Sequence, residues 1–309
     1  MNRSPVAYII FNRPHHTRIT FETIRTYKPS QLFIIADGPR KDNYTDAERC
    51  REVRNIVDRI DWPCEVFKSY SECNLGCKER VISGLNWVFT HVDRAIIIED
   101  DILPNKDFFS FCEELLERYK DDERVACITG NNFQDGQHRG KAEESYYFSR
   151  YIHVWGWATW RRAWMHNDPS LSFWPEWKKT KEWRRKFHDY NERRYWKQIF
   201  DKMFNNAIDT WDYHWTASVW FSDGLTATPN INLVTNIGFG PDATHTVEQE
   251  DRYGQQSYTL ESITHPQVVL WNRGADKYTY DHHFLGLNNR LHVRILRLVC
   301  LLLGFRDKS

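Results

Sequence analysis

Residues 96–104 read Ile-Ile-Ile-Glu-Asp-Asp-Ile-Leu-Pro, an apolar run that ends in three consecutive acids. The run is typical of a strand buried on both faces of a sheet, so Glu99, Asp100 and Asp101 follow directly on a buried strand. Because adjacent carboxylates repel one another, a hard divalent cation with oxygen ligands would stabilise this arrangement. The stretch therefore predicts a Mg²⁺ or Mn²⁺ site, and the competing interpretation is an acidic turn in solvent.

Strands and helices alternate in the sequence before this stretch. Apolar runs predict strands at residues 6–11, 31–36, 64–70 and 94–98, and helical spacing predicts helices at residues 16–27, 46–60 and 78–91. A helix at residues 108–119 and a strand at residues 125–129 follow. This order predicts an α/β fold with a mostly parallel, doubly wound sheet flanked by helices.

Polar residues follow the predicted strands. Asn12, Asp37 and Asn74 come at or just after strand ends, as the three acids do. Ligands of doubly wound sheets bind beyond the carboxyl ends of the strands. The sequence therefore predicts a ligand site at this edge of the sheet.

Composition narrows the classes of partner. The 42 basic and 42 acidic residues cancel, which argues against nucleic acid as a partner. Seven cysteines, an odd number in 309 residues, predict free thiols, and Cys73 and Cys77 lack a second pair at zinc-site spacing. The first residues contain no apolar segment long enough for a signal peptide or a membrane span, so we expect a cytoplasmic protein.

Tryptophan is concentrated in the second half of the chain. Eleven of the 14 tryptophans lie between Trp155 and Trp220. Aromatic faces pack well on sugar rings, so a carbohydrate groove is one interpretation, and a tryptophan-built core is the other.

The C-terminal tail combines basic and apolar residues. Arg290, Arg294 and Arg297 alternate with aliphatic side chains between Asn288 and Phe305, a stretch too short and too charged to span a bilayer. The tail could lie in a membrane interface as an amphipathic helix, which would make the protein peripheral on the inner face of the cytoplasmic membrane. It could equally pack on the domain or on a second subunit, and the sequence leaves the oligomeric state open.

Residues 99–104, followed by Asp107-Phe108-Phe109, resemble the metal-binding stretch of GT-A glycosyltransferases. The motif is most similar to that of the animal N-acetylglucosaminyltransferase that initiates complex N-glycans, and bacterial family-2-like sugar transferases share it. In the order of its motifs the likeness extends from Pro5 to about Thr246. It implies a GT-A (Rossmann-like) domain with a nucleotide-sugar-binding half at residues 1–135 and a tryptophan-rich acceptor-side half at residues 136–287, followed by a helical tail at residues 288–309.

On the donor side, the resemblance implies that Asp101 is the direct metal ligand, with Glu99 and Asp100 facing the nucleotide ribose or supporting the ion. Asp37 matches the aspartate that contacts the nucleotide base. The rest of the donor site would comprise the end of the first strand and the loop before the third helix: Phe11, Asn12, Arg13, Asn74, Gly76 and Lys78. A helix that begins at this loop would also offer backbone N–H groups to phosphate.

On the acceptor side, the stretch from Val154 to Trp160 resembles the glycine-tryptophan segment beside the donor sugar and implies roles for Gly156 and Trp157. The segment around Asp212 resembles the tryptophan-acid motif whose aspartate deprotonates the acceptor hydroxyl, although a second acid common in the family is Tyr213 here. Asp212 could instead cap a helix. His245, in a glycine-containing loop, matches a late histidine that joins the metal shell, and the competing interpretation is a solvated loop histidine.

Together these features predict a metal-dependent, inverting glycosyltransferase. The donor would be a nucleotide-diphosphate sugar, with UDP as the expected nucleotide, and the acceptor a carbohydrate or lipid-linked molecule such as a surface polysaccharide or glycolipid. The alternative is a non-catalytic carbohydrate-binding or regulatory protein on a GT-A scaffold. A nucleotidyltransferase is disfavoured because no glycine-rich, lysine-bearing loop follows the first strand.

Overall fold

The computed structural model describes residues 3–238, 256–284 and 286. Its first part alternates strands and helices as predicted: β1 Val6–Ile10, α1 Pro14–Tyr27, β2 Gln31–Ala36, α2 Asp46–Val57, β3 Glu65–Tyr70, α3 Cys77–His91 and β4 Arg94–Glu99. The middle part contains β5 Ile102–Pro104, α4 Lys106–Arg118, β6 Val125–Thr129, β7 Tyr146–Ser149 and β8 Trp157–Trp160. The remaining described elements are α5 Arg161–Trp164, α6 Trp174–Trp177, α7 Lys181–Arg185, α8 Tyr190–Phe204, α9 Asp212–Phe221, β9 Leu225–Pro229, β10 Val234–Asn236 and α10 Arg273–His283.

The central sheet has eight strands in the order β3-β2-β1-β4-β8-β6-β9-β7. Strands β3, β2, β1 and β4 are parallel, and β8 runs antiparallel between β4 and β6. The predicted fold class is confirmed: the protein is a mixed α/β protein with a mostly parallel central sheet flanked by helices, consistent with a Rossmann-like GT-A fold.

Alternate residues of each central strand face opposite layers of helices. On β1, Val6, Tyr8 and Ile10 pack in one core with residues of α1, α2 and α4, whereas Ala7 and Ile9 pack in a second core with residues of α3. All five are buried, which explains the uninterrupted apolar run.

The register brings the predicted ligand residues to one edge. Ile10 pairs with Ala36, and Ile9 pairs with Glu99. The three strands therefore end at the same level, and the residues that follow them meet there.

Two further pairings close this edge. In β8, Trp157 pairs with Ile97, so the antiparallel strand begins where β4 ends. A separate two-stranded sheet pairs β5 with β10 and aligns Ile102 with Asn236, which brings residues 236–238 to the acidic turn.

Tryptophan builds much of the second half. Trp174, Trp183, Trp196 and Trp220 are each less than 2% exposed and share a third core with residues of α8 and α9. For these four residues the core interpretation is correct and the groove interpretation is wrong.

Helix α10 is tied to the end of β7 through Asp276. Its carboxylate accepts hydrogen bonds from Ser149 Oγ at 2.5 Å and from the Arg150 backbone N–H at 3.0 Å. The predicted amphipathic tail at residues 288–309 lies outside the described residues. Within the part of the chain that is described, no helix has the length and apolar character needed to cross a membrane.

Candidate functional site

A cleft of about 400 Å³ opens at the carboxyl ends of β1, β2 and β4. Most of its walls come from strand ends, the first turn of α3 and the segment after β10. Eight of the predicted site residues line the cleft: Phe11, Arg13, Asp37, Asn74, Gly76, Glu99, Asp100 and Asp101. The structure therefore brings together most of the predicted donor side.

Arg13 bridges two of the three acids. Its guanidinium donates from Nη2 to Asp100 Oδ1 at 2.5 Å and from Nη1 to Asp101 Oδ2 at 2.9 Å. The side chain of Asp100 is 2% exposed, whereas those of Arg13 and Asp101 are each 18% exposed. Asp101 is therefore the more accessible of the two carboxylates from the cleft.

The acids are electrostatically strained. Burial, followed by the charge of Asp101, raises the pKa of Glu99 above its usual range. Burial also raises the pKa of Asp100, although Arg13 opposes this shift. A cation at this edge would favour the charged form of both groups.

The position of Asp101 is fixed by the segment after β10. The Ile237 N–H donates to the Asp101 carbonyl at 2.8 Å. Gly238 lies so close that a β-carbon there would be 2.3 Å from Asp101 Oδ2. Asn236 and Gly238 both line the cleft beside this carboxylate.

Asp37 organises the loop before α3. Its carboxylate, in a residue only 5% exposed, accepts hydrogen bonds from Asn74 Nδ2 at 3.0 Å, Leu75 N–H at 2.9 Å and Gly76 N–H at 3.1 Å. The N–H groups of Leu75 and Gly76, just before α3, therefore donate to Asp37. Only the positive φ of Gly76, +81°, lets the chain turn directly into α3 at this point.

Five of the predicted site residues that the structure describes lie outside the cleft lining: Asp212, considered below, and four residues that have another role. Asn12 is 8% exposed and donates to Asp46 Oδ1 at 2.7 Å. Lys78 extends to Asn206 Oδ1 at 3.4 Å. Gly156, at φ +61°, lets the backbone pass close to the Val234 side chain, and Trp157 is fully buried, its ring stacked on that of Trp211 at 5.5 Å. Trp155, two residues earlier, is the tryptophan that lines the cleft.

Asp212, the predicted general base, is the first residue of α9 and is partly exposed. Its carboxylate accepts a hydrogen bond from the Thr210 hydroxyl. Its charge contributes to the raised pKa of Glu99, after burial and the charges of Asp101 and Asp100. The cleft lining itself contains Asp209, an exposed carboxylate whose Oδ2 lies 3.9 Å from the β-carbon position of Gly76.

Several cleft residues were missed by sequence reasoning: Arg40, Cys77, Arg80, Val81, Trp155, Asp209, Asn236 and Gly238. Helical spacing could have found three of them, because Cys77, Arg80 and Val81 share one face of α3. Arg80 is 6% exposed and donates to Ser69 O at 2.5 Å and Ser69 Oγ at 2.9 Å. The guanidinium of Arg40 lies 5.5 Å from the centre of the Phe11 ring.

The described residues test only part of the predicted metal site. Among those described, no group of three or more His, Cys, Asp or Glu side chains forms a metal-ligand cluster. Glu99 and Asp101 could supply one or two carboxylates, which is the number that Mg²⁺ uses when substrate phosphates and water complete its shell. His245, the other predicted ligand, lies outside the described residues.

Comparisons with known proteins concern the fold alone. No family model and no curated protein match the chain. Among solved structures it is similar to the mannosyltransferase PcManGT from Pyrobaculum calidifontis, in complex with GDP-Man and Mn²⁺, at 10% identity and a TM-score of 0.35. The match covers 52% of this chain and 46%, less than half, of the mannosyltransferase.

The chain is also similar to the 4-diphosphocytidyl-2C-methyl-D-erythritol synthase from Anaerococcus prevotii DSM 20548, at 10% identity and a TM-score of 0.33. That match covers 67% of this chain and 85% of the synthase. Likenesses this low assign no activity to the protein.

Proposed function

We propose that the protein is a metal-dependent glycosyltransferase that moves a sugar from a nucleotide-diphosphate donor, with UDP as the expected nucleotide, to a carbohydrate or lipid-linked acceptor. The observation that carries this proposal is the convergence of Arg13, Asp101 and the Asp37-bound loop in one cleft at the carboxyl edge of the sheet. That edge is where α/β sheets of this kind bind their ligands.

The donor fits the charge and shape of the cleft. Arg13 and Arg40 are cations in its lining, and Arg guanidinium groups bind phosphate through two parallel hydrogen bonds. The ring of Phe11 and the side chains of Ile9 and Ile10 give the same cleft an apolar wall on which a base can pack. A nucleoside diphosphate requires both kinds of surface.

The proposed metal ligands are Asp101 and, in the segment beyond the described residues, His245. His245 follows Gly238 by seven residues, and seven residues can span up to about 24 Å, so the chain is long enough for His245 to return to Asp101. When bound, Mn²⁺ or Mg²⁺ would stabilise the negative charge that develops on the departing diphosphate.

Asp212 is proposed as the general base, which would accept the proton of the acceptor hydroxyl as that oxygen attacks the anomeric carbon. Direct displacement of this kind inverts the anomeric configuration. Asp209, three residues before Asp212, is the carboxylate of this segment that lines the cleft, and Trp155 offers a partly exposed ring to a sugar. The carboxylates and the ring together favour transfer to a carbohydrate acceptor.

The proposed metal site is tested by calorimetric titration of UDP with and without Mn²⁺, on the wild type and on Asp101→Asn. We expect Mn²⁺ to strengthen UDP binding in the wild type and to have little effect in the variant. Asp93→Asn is the matched control, because Asp93 precedes β4 at the opposite edge and its side chain is 88% exposed. Unchanged Mn²⁺-dependent binding in Asp101→Asn would contradict the metal site.

Turnover is tested separately by release of nucleoside diphosphate from a panel of nucleotide sugars in the presence of candidate acceptors. Donor binding without release from any member of the panel would favour the non-catalytic alternative. Membrane contact through residues 288–309 is a further proposal: deletion of Leu291 to Phe305 should weaken co-sedimentation with liposomes that contain anionic lipid. A full-length protein that never co-sediments would contradict it.

A further inference from the structure

Arg13 occupies an unusual position between the first strand and the acidic turn. It is the residue that precedes α1, and its guanidinium reaches across to the turn after β4. One planar group thus contacts the carboxylates of two adjacent residues, Asp100 and Asp101, at 2.5 and 2.9 Å. The pairing is well shielded from solvent, because the side chains involved are between 2% and 18% exposed.

The two carboxylates are not held equally. Asp100 Oδ2 also accepts from the Phe11 N–H at 3.3 Å, and the Asp100 carbonyl accepts from Thr20 Oγ1 at 2.9 Å. For the carboxylate of Asp101, Arg13 is the one hydrogen-bond donor found within the described ranges 3–238 and 256–284. Loss of the Arg13 contact would therefore leave Asp100 anchored and Asp101 available to another cation.

A divalent cation bound to Asp101 would lie close to the positive charge of Arg13. The guanidinium nitrogen already lies 2.9 Å from Oδ2, where it would repel an ion seated at about 2.1 Å from that oxygen. A diphosphate, in contrast, is a stronger bidentate partner for Arg than a single carboxylate oxygen. The guanidinium can stay on the anchored Asp100 while its other edge turns toward such an anion.

We propose that Arg13 couples the two ligands of this cleft: it holds Asp101 until a diphosphate draws one edge of the guanidinium away, so that a divalent cation binds strongly only together with the nucleoside diphosphate. Arg13 is then a positioning residue that acts through Asp101, in addition to contacting the donor. The inference rests on the proposed function, because it assumes a diphosphate ligand.

The test uses the full chain, MnCl₂ and UDP, with no assay of turnover. Binding of Mn²⁺ alone is measured by electron paramagnetic resonance for the wild type, Arg13→Gln and Arg13→Lys. Arg13→Gln removes the competing charge, so we expect it to bind Mn²⁺ alone about tenfold more tightly than the wild type. Arg13→Lys keeps the charge and should resemble the wild type. A residue that served only to bind the donor would not affect Mn²⁺ alone, and one that served only the fold would weaken Mn²⁺ binding.

Coupling is measured by titration of UDP at zero and saturating Mn²⁺. We expect Mn²⁺ to lower the UDP Kd at least tenfold in the wild type and by a smaller factor in Arg13→Gln. Equal or weaker binding of Mn²⁺ alone by a folded Arg13→Gln would overturn the inference. If that variant does not fold, the wild type decides, and a Kd changed less than threefold by Mn²⁺ would overturn it.

The outcomes separate this inference from the proposed function. If UDP and GDP both fail to bind the wild type under either condition, the proposed donor is wrong. Tighter binding of Mn²⁺ by Arg13→Gln in that same case would still support the competition at Asp101.

Discussion

Gly238 lies against the carboxylate of Asp101, and a β-carbon at Gly238 would be 2.3 Å from Oδ2, 2.9 Å from Cγ and 2.8 Å from Cβ. The conflict involves the whole Asp101 side chain, so a rotation of its tip would not relieve it. Gly238→Ala should therefore displace the proposed metal ligand. We expect at least a tenfold loss of Mn²⁺-dependent UDP affinity by calorimetry, with a small change in melting temperature.

Gly274→Ala is the matched control for this substitution. Gly274 lies in the first turn of α10, where the nearest atom to an added β-carbon is Asn272 Oδ1 at an ordinary 3.6 Å. Alanine is favoured over glycine in a helix by up to about 1 kcal/mol, so this variant should keep its UDP affinity and gain slightly in stability. Full Mn²⁺-dependent UDP affinity in Gly238→Ala would show that Asp101 does not bind the metal in the position described.

Two carboxylates compete for the role of general base, and substitution by asparagine separates them. Asp212→Asn should leave UDP affinity unchanged and lower kcat about 100-fold or more, because the amide cannot accept the acceptor proton. Asp209→Asn, three residues earlier, should change kcat less than tenfold if Asp209 only lines the cleft. The reverse order of effects would assign the role to Asp209.

The difference between these two acids shows where sequence reasoning ends. The acidic turn, the succession of strands β1 to β4 along the chain and the edge on which the ligand residues meet all follow from the apolar runs and the polar, Gly and Pro residues that end them. Which of Asp209 and Asp212 faces the cleft depends on the path of the chain into α9, and the hydrophobic periodicity of the sequence does not predict that path.

The same limit applies to Asp37 and to the tryptophans. Sequence placed Asp37 at a strand end, but its hydrogen bonds with Leu75 and Gly76 join segments about 40 residues apart and depend on the register of β2 and β3. Trp155 and Trp157 differ by two residues, and the choice between them depends on where β8 begins. Local sequence patterns do not predict tertiary contacts of this kind.

Asp37→Asn tests whether this carboxylate holds the loop before α3. An amide at this position keeps only one acceptor oxygen, so its nitrogen would face the N–H group of Leu75 or of Gly76 and leave that partly buried donor without an acceptor. We expect a loss of about 1–3 kcal/mol in the free energy of unfolding, measured with urea, and a raised KM for the donor. Asp58→Asn, which breaks a half-exposed ion pair with Lys68, is the control and should cost less than about 1 kcal/mol. Equal costs for the two variants would argue against this role of Asp37.

Buried His153 should make the free energy of unfolding decrease at acid pH. Burial, followed by the charge of His283, lowers the pKa of His153 to about 3 from an ordinary 6.5, so the folded state holds the neutral ring. Because the pKa of His153 is lower in the folded state than in the unfolded state, burial of the neutral ring contributes fully to the free energy of unfolding above about pH 6.5. That contribution is lost as the pH falls toward 3. Between pH 7.5 and 5.0 the wild type should lose about 2 kcal/mol more than His153→Gln.

The comparison between wild type and variant is essential, because Glu192 has the opposite dependence. Burial raises the pKa of Glu192 to about 7, so its contribution is present below its unfolded pKa and is lost as the pH rises through 7. Glu192 is present in both proteins and cancels in the difference between their urea midpoints. Parallel curves for the two proteins would contradict the assignment to His153.

Trp155 and Trp157 should separate ligand binding from stability. Trp155 is partly exposed in the cleft, and its ring centre lies 5.4 Å from that of Phe133. Trp155→Phe should therefore weaken contact with a sugar and raise KM about three- to tenfold, with little change in melting temperature. Trp157 is 0% exposed among Trp164, Trp211 and Trp215, so Trp157→Phe should leave a cavity and cost about 1–3 kcal/mol of stability with KM nearly unchanged. Melting curves and donor and acceptor saturation kinetics on the two variants measure both quantities. A KM effect confined to Trp157→Phe would mean that the buried tryptophan, and not its neighbour in the cleft, positions the substrate.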